Sequence, residues 1–233
     1  MASDSHIKAC IFDMDGLLLD TESIYTAVTN KILEPYGKSF PIETKLKMMG
    51  RDVRTATGIL LSDLQLSMSF EEYDRQATEL KQIYFRESKM MPGAAKLLRH
   101  LAQHSIPIAV ATGSSKEMFL VKTSRHPIFD LFKGCITCGD DPEVKHSKPA
   151  PDIFLTAMKR LDAELKPSDC LVFEDAENGI EAANRAGMSS VWVHDMRFAL
   201  DPSTPPASHK ATERITTLED FAPEKYGLPP YDN

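Results

Sequence analysis

The sequence predicts an α/β protein, a doubly wound parallel-sheet core carrying an inserted helical cap. Three observations predict it. A short β-prone apolar run over residues 8–13 ends in acid. Residues from about 17 to about 90 contain no convincing strand, and apolar residues recur there at helical spacing. From Pro92-Gly93 onward, helix-like and strand-like runs alternate, which implies a parallel sheet with helices on both faces. The expected domains are a core of residues 1–16 and 91–233 and a cap of residues 17–90.

The cap helices are read from Ile24, Val28 and Ile32, then Leu60, Leu61 and Leu64. A third set is Phe70, Tyr73, Ala77, Leu80 and Tyr84. Pro35-Tyr36-Gly37 and Gly50 punctuate them. In the core, Ala94, Leu97, Leu98 and Leu101 share a helix face. The run 107–112 reads as a strand, and Ser114-x-x-Glu117 reads as a capping box opening the next helix. Residues 134–138 form a weaker strand. A helix from Pro151 buries Ile153, Phe154, Ala157, Met158 and Leu161. Strand 170–173, helix 180–186 and strand 190–193 complete the alternation, and the Pro-rich stretch 201–206 reads as a surface loop.

The bulk composition narrows the function. The chain has 233 residues, 42% hydrophobic and 26% charged, with a formal net charge of −7 and mixed acids and bases. No basic face suggests a nucleic-acid or membrane-surface partner. No apolar run approaches the ~20 residues of a membrane span. The N-terminal residues carry acid where a signal peptide carries base, so a cytoplasmic address, with the nucleus as a second, is expected. Cys10 and Cys170 fall in apolar runs and read as core thiols. Cys135 and Cys138 form a C-x-x-C without the second ligand pair that zinc needs.

In a Rossmann-like sheet, ligands bind outside the carboxyl ends of the strands. Asp13 and Asp15, Thr112-Gly113-Ser114, and Glu174-Asp175 each lie where an apolar strand stops. A single acid there is usually a cap or turn residue; several together point to chemistry. Phosphoryl transfer to a carboxylate needs the repulsion between two anions cancelled. A Mg²⁺ held by the oxygens of Asp13, Glu174 and Asp175 would do so. Thr112 offers a hydroxyl to the phosphate, the start of the following helix offers N–H groups, and Lys148 offers a cation. Asp15 is placed to give the leaving group its proton and to take one from water. Gly50-Arg51 reads as a cap loop facing the site, with Arg51 reaching the substrate. Lys122, Arg125 and His126 read as cations near a helix end, where the dipole favours them. Asp140-Asp141 read as turn formers.

Ile11-Phe12-Asp13-Met14-Asp15-Gly16 resembles the first motif of the haloacid dehalogenase-like hydrolases. Thr112, Lys148 within Lys-Pro-Ala-Pro-Asp, and Glu174-Asp175 fall in the order of the remaining three. The resemblance implies a helical cap between the first two motifs. It also implies a metal held by the Asp13 side chain, the Asp15 carbonyl and Asp175, with Glu174 direct or through water. An acid two places after the nucleophile is the pattern of its phosphatases and phosphomutases rather than its dehalogenases. Phe12–Glu22, Gly139–Leu155, Leu171–Met188 and the tail Tyr226–Tyr231 further resemble the subgroup of eukaryotic pseudouridine-5′-phosphatases and plant glycerol-3-phosphate phosphatases. Ser147, where Gly is usual, and a divergent cap depart from it. The resemblance implies a Mg²⁺-dependent phosphatase acting on a small phosphorylated metabolite, and a monomer is expected. A phosphomutase is the alternative enzyme. A receiver-like signalling module is the alternative outside catalysis, although such a domain has about half this length and no cap.

Overall fold

The computed structural model describes residues 7–48, 51, 53–198 and 211–232. They fall into two compact units. One comprises residues up to Asp20 and from Lys89 onward; the other is Thr21–Ser88.

The first unit is built on a parallel sheet. Among the described residues its strands are β1 (Ala9–Phe12), β2 (Ile108–Thr112), β3 (Ile136–Cys138), β4 (Cys170–Glu174), β5 (Ser189–Val193) and β6 (Glu213–Ile215). They lie in the order β3-β2-β1-β4-β5-β6, and every pairing is parallel. The chain winds from β1 outward through β2 to β3, then crosses back to place β4 on the other side of β1. That reversal puts the switch point of the sheet at the carboxyl ends of β1 and β4.

Alternation along the strands decides which helices cover which face. Cys10, Phe12, Ile108, Val110, Leu171 and Phe173 pack with Leu97, Leu98 and Leu101 of α5 (Ala94–Gln103). Ala9, Ile11, Ala109, Ala111 and Val172 face the other way. They meet α7 (Asp152–Leu161) and α8 (Glu177–Ala186) through Ile153, Phe154, Ala157, Ala182 and Ala183. The small alanines on both partners let these helices approach closely. Phe12 and Phe173 are register partners on β1 and β4, and their rings stack 4.7 Å apart. Burying each such ring contributes about 1.5–3 kcal/mol, and Asp13 and Glu174 stand on the residues that follow them. The site acids are thus mounted directly after a stacked, fully buried aromatic pair.

The second unit holds α1 (Thr21–Leu33), α2 (Ile42–Met48), α3 (Val53–Asp63) and α4 (Phe70–Tyr84). Val28, Ile32, Leu60, Met68, Tyr73 and Ala77 form its core. Ser69 caps α4 by accepting from the Glu72 N–H at 3.1 Å. The helix-spaced residues read from the sequence all belong to α1, α3 or α4 or to the turn after α3. The two-turn helix α2 is too short to show a period.

Four details correct the sequence reading. Leu17, Leu18 and Leu19 belong to the core of the α/β unit and not to the helical segment. Lys89 and Met90 return to the same unit, where the Asp20 N–H donates to Lys89 O at 2.8 Å and the Met91 N–H to Leu18 O at 2.9 Å. The sheet also gains β6, three residues long and therefore without a readable alternation. Finally, Ser115, not Ser114, caps α6 (Lys116–Thr123), accepting from the Met118 N–H at 3.3 Å. Stretch 201–206 lies outside the described residues. Among the described residues no helix is long and apolar enough to cross a membrane.

Candidate active site

Three strand ends and two loops bring charged groups together at the switch point. Asp13 follows β1 and is buried, its N–H donating to Phe173 O at 3.0 Å. The chain then turns at Gly16, whose φ of 80° lies in the left-handed region. A side chain there would also collide with the Asp175 carboxylate. Glycine is required on both counts.

Lys148 stands in the turn that the Ala150 N–H closes onto Ser147 O at 2.9 Å. Its ammonium donates to Asp13 Oδ1 at 2.5 Å, Glu174 Oε1 at 2.6 Å and Ala111 O at 3.1 Å. Glu174 ends β4, and its Oε2 accepts from the Ala176 N–H at 3.0 Å. Burial pushes the Asp13 carboxyl up to about 7 against the pull of Lys148, and the Glu174 and Asp15 carboxylates push the same way. Burial works against the charge of Lys148, yet Asp13 and Glu174 hold its ammonium above the ordinary lysine value.

A second cluster surrounds Asp15. Thr112, at the end of β2, donates from Oγ1 to Asp15 Oδ2 at 3.1 Å, and Ser114 donates from Oγ to the same oxygen at 2.8 Å. The Ser114 N–H donates to Thr112 Oγ1 at 3.1 Å. Lys122, on α6, reaches Asp15 Oδ1 at 2.5 Å and Ser114 Oγ at 2.8 Å. Lys122 does lie in the last turn of its helix, as the sequence suggests, but its side chain is 1% exposed and serves Asp15 rather than the helix end. These contacts also explain why Ser114 is not the helix cap, because its hydroxyl is committed to charged partners, which bind it more strongly than a backbone amide would. The sequence carried one signal. Lys122 lies three residues after the buried Phe119, on the same helix face.

The structure therefore brings together Asp13, Asp15, Thr112, Ser114, Lys148, Glu174 and Asp175. Gly113 lies between Thr112 and Ser114, and its carbonyl packs so closely on Gly139 that a side chain at 139 would overlap it. Arg51 belongs to the helical unit, where it is exposed beside a cleft that Lys47 and Asp63 also line. Gly50 lies outside the described residues. Asp140 accepts from the Lys116 N–H at 2.9 Å, and Asp141 pairs with Arg160 at 2.6 Å, so both brace loops. The four cysteines are free thiols.

Gly179 lets β4 and α8 approach, and a methyl there would overlap the Glu174 carboxylate. Gly179→Ala is expected to lower stability by about 1–3 kcal/mol, the usual cost of overpacking. It is also expected to displace Glu174 from Lys148, cutting turnover. Urea denaturation alongside a phosphatase assay checks both effects.

The family model described as "Haloacid dehalogenase-like hydrolase" matches residues 10–193, which include every member of these two clusters. The chain belongs to the haloacid dehalogenase-like hydrolase family. This hydrolase is 47% identical to a Drosophila melanogaster protein named "Probable pseudouridine-5'-phosphatase", over 97% of this chain and 96% of that one. It is 43% identical to the Arabidopsis thaliana protein "(DL)-glycerol-3-phosphatase 2", over 100% of this chain and 96% of that one. The crystal structure of a haloacid dehalogenase family hydrolase from Deinococcus radiodurans, with bound phosphate and sodium, shares the fold. Its TM-score is 0.80 at 21% identity, over 97% of this chain and 100% of that one. The protein is thus a phosphomonoester hydrolase of this family.

Proposed function

We propose that this hydrolase removes the phosphoryl group from a small phosphorylated metabolite by way of an aspartyl-phosphate on Asp13, with pseudouridine 5′-phosphate as the preferred substrate. The observation that carries the chemistry is the buried Asp13 held by Lys148 at 2.5 Å beside a separately anchored Asp15. An oxygen of Asp13 forms the bond to phosphorus as the ester oxygen leaves, and Asp15 gives that oxygen its proton. Asp15 then takes a proton from the water that attacks the aspartyl-phosphate, releasing phosphate and restoring Asp13. Lys148 binds Asp13 and offsets the negative charge that gathers on the transferring oxygens. The Gly113 N–H is assigned to the phosphate; the Thr112 hydroxyl donates to Asp15 and the Ser114 N–H to Thr112 Oγ1, so these two brace the proton donor.

The donor set fits Mg²⁺. Asp13, Asp15, Glu174 and Asp175 set four carboxylates against the two ammoniums of Lys122 and Lys148, and burial drives the Asp13 carboxyl upward. Among the described residues these carboxylates outnumber the ammoniums that contact them. Among the described residues no three acidic, His or Cys groups form a ready-made metal cage. That is compatible with Mg²⁺, which commonly takes one or two carboxylates together with waters and substrate oxygens. Asp13, Asp175 and the Asp15 carbonyl would hold the ion. Glu174 gives one oxygen to Lys148 and the other to the Ala176 N–H, so it acts as their anchor. When bound, the ion supplies Lewis-acid charge at the transferring phosphoryl group.

The preference for a nucleotide rests on the higher identity to the pseudouridine-5′-phosphatase relative; glycerol 3-phosphate is the second candidate. A panel of phosphorylated nucleosides, sugars and polyols, assayed with Mg²⁺ and again in chelator, tests both parts. Pseudouridine 5′-phosphate should rank first, and every activity should vanish in chelator and return with Mg²⁺. Glycerol 3-phosphate in first place overturns the substrate, and full turnover in metal-free protein overturns the cofactor.

A further inference from the structure

We infer that Lys122 is a positioning residue for Asp15, a buried ammonium that fixes the orientation of the proposed proton donor from the neighbouring helix α6. The inference rests on the reading of Asp15 given above and assigns a role to a residue outside that mechanism.

Both oxygens of Asp15 are held, and from different elements. Lys122 Nζ takes Oδ1 at 2.5 Å, while Ser114 and Thr112 donate to Oδ2 at 2.8 and 3.1 Å. Lys122 also donates to Ser114 Oγ at 2.8 Å, which closes a triangle of carboxylate, ammonium and hydroxyl. A carboxylate held at one oxygen can still rotate about its side-chain bonds. Tied at both, it keeps one orientation.

Two features argue that this orientation is the purpose of the lysine. A cation serving the helix dipole would sit in water at the last turn, yet Lys122 is 1% exposed. Burying an ammonium costs several kcal/mol unless charge and hydrogen bonds offset it. Asp15 and Ser114 supply that offset at 2.5 and 2.8 Å, which commits the ammonium to the acid whose placement matters most. Asp15 itself is 26% exposed and has no need of a buried cation for its own solvation. A proton donor displaced by about 1 Å transfers much more slowly, since positioning errors of that size can cost ~10²-fold.

The test compares two esters. An alkyl phosphate has a poor leaving group and depends on the proton from Asp15; p-nitrophenyl phosphate has a good one and does not. The alkyl ester is the one that the substrate panel ranks first. Lys122→Met should lower kcat on the alkyl ester by about 10²-fold, the lower end of what proton transfer supplies. On the aryl ester it should lower kcat by no more than ~5-fold, with KM little changed on either. Adding Lys122→Met to Asp15→Asn should cost nothing further, because the lysine acts through the acid. Equal losses on both esters in folded Lys122→Met protein overturn the inference. So does a double variant about tenfold below Asp15→Asn alone. If Lys122→Met does not fold, the comparison of the double variant with Asp15→Asn decides, since that variant removes both charges together. Asp15→Asn protein that keeps its alkyl-ester turnover removes the proton-donor reading and the inference with it.

Discussion

Asp13→Asn is expected to abolish turnover while leaving the protein folded. The amide has no negative charge with which to attack phosphorus, and loss of a covalent nucleophile can cost more than ~10⁴-fold in kcat. The fold should survive because Asn occupies nearly the same volume and Lys148 keeps Glu174 as a partner at 2.6 Å. Stability should respond in a defined direction. Burial raises the Asp13 carboxyl from 3.8 to about 7, so the folded state binds its proton more tightly than the unfolded state does. The stabilisation from that proton is complete below the unfolded value and is lost as pH rises through about 7. In chelator, wild-type protein should therefore weaken over this interval, and Asp13→Asn should weaken less. Thermal melts of both proteins across that range measure the difference.

Lys148→Met is expected to cost both activity and stability. Its ammonium lies between two buried carboxylates, with a side chain 9% exposed. Removing one partner of a buried ion pair typically destabilises by about 3–5 kcal/mol, because the remaining charge is left uncompensated. Here two carboxylates would be left facing one another. Adding Glu174→Gln to Lys148→Met should restore part of the stability by removing one of those charges. It should restore no turnover, because the transferring phosphoryl group still lacks its cation. Urea titration of the two variants beside wild type, with phosphatase assays on each, separates these effects. A Lys148→Met protein as stable as wild type would show that the pair does not bear on folding.

Much of the fold and most of the clustered residues were legible in the sequence for a physical reason. A parallel strand buried on both faces must be apolar throughout, so the first polar residue marks the strand's end. Asp13, Thr112 and Glu174 were found in this way. Where those ends meet follows from the handedness and order of the crossovers. What escaped were features without a period or a local partner. Three-residue β6 and the seven residues of α2 are too short to repeat. Leu17–Leu18–Leu19 have a helical composition but are held by an irregular turn and the apolar face of the sheet. Lys122 lies 107 residues from Asp15, and a cation near a helix end already has a sufficient local explanation. Only the tertiary fold shows its ammonium turned inward. The contacts of Glu174 escaped for a similar reason. Sequence order places it beside Asp175, but the Ala176 N–H and Lys148 determine where its oxygens go.

The central claim is that Asp13 becomes covalently phosphorylated during turnover. Acid quenching of the Mg²⁺-loaded enzyme in mid-turnover with a substrate carrying a radiolabelled phosphoryl group should trap label on the protein. Borohydride reduction, which expels the phosphate and turns the acyl carbon into an alcohol, should then leave homoserine at position 13 on peptide mapping. The label should be absent from Asp13→Asn protein treated in the same way. Steady turnover with no trapped label, or homoserine mapped to any position other than 13, would contradict the account.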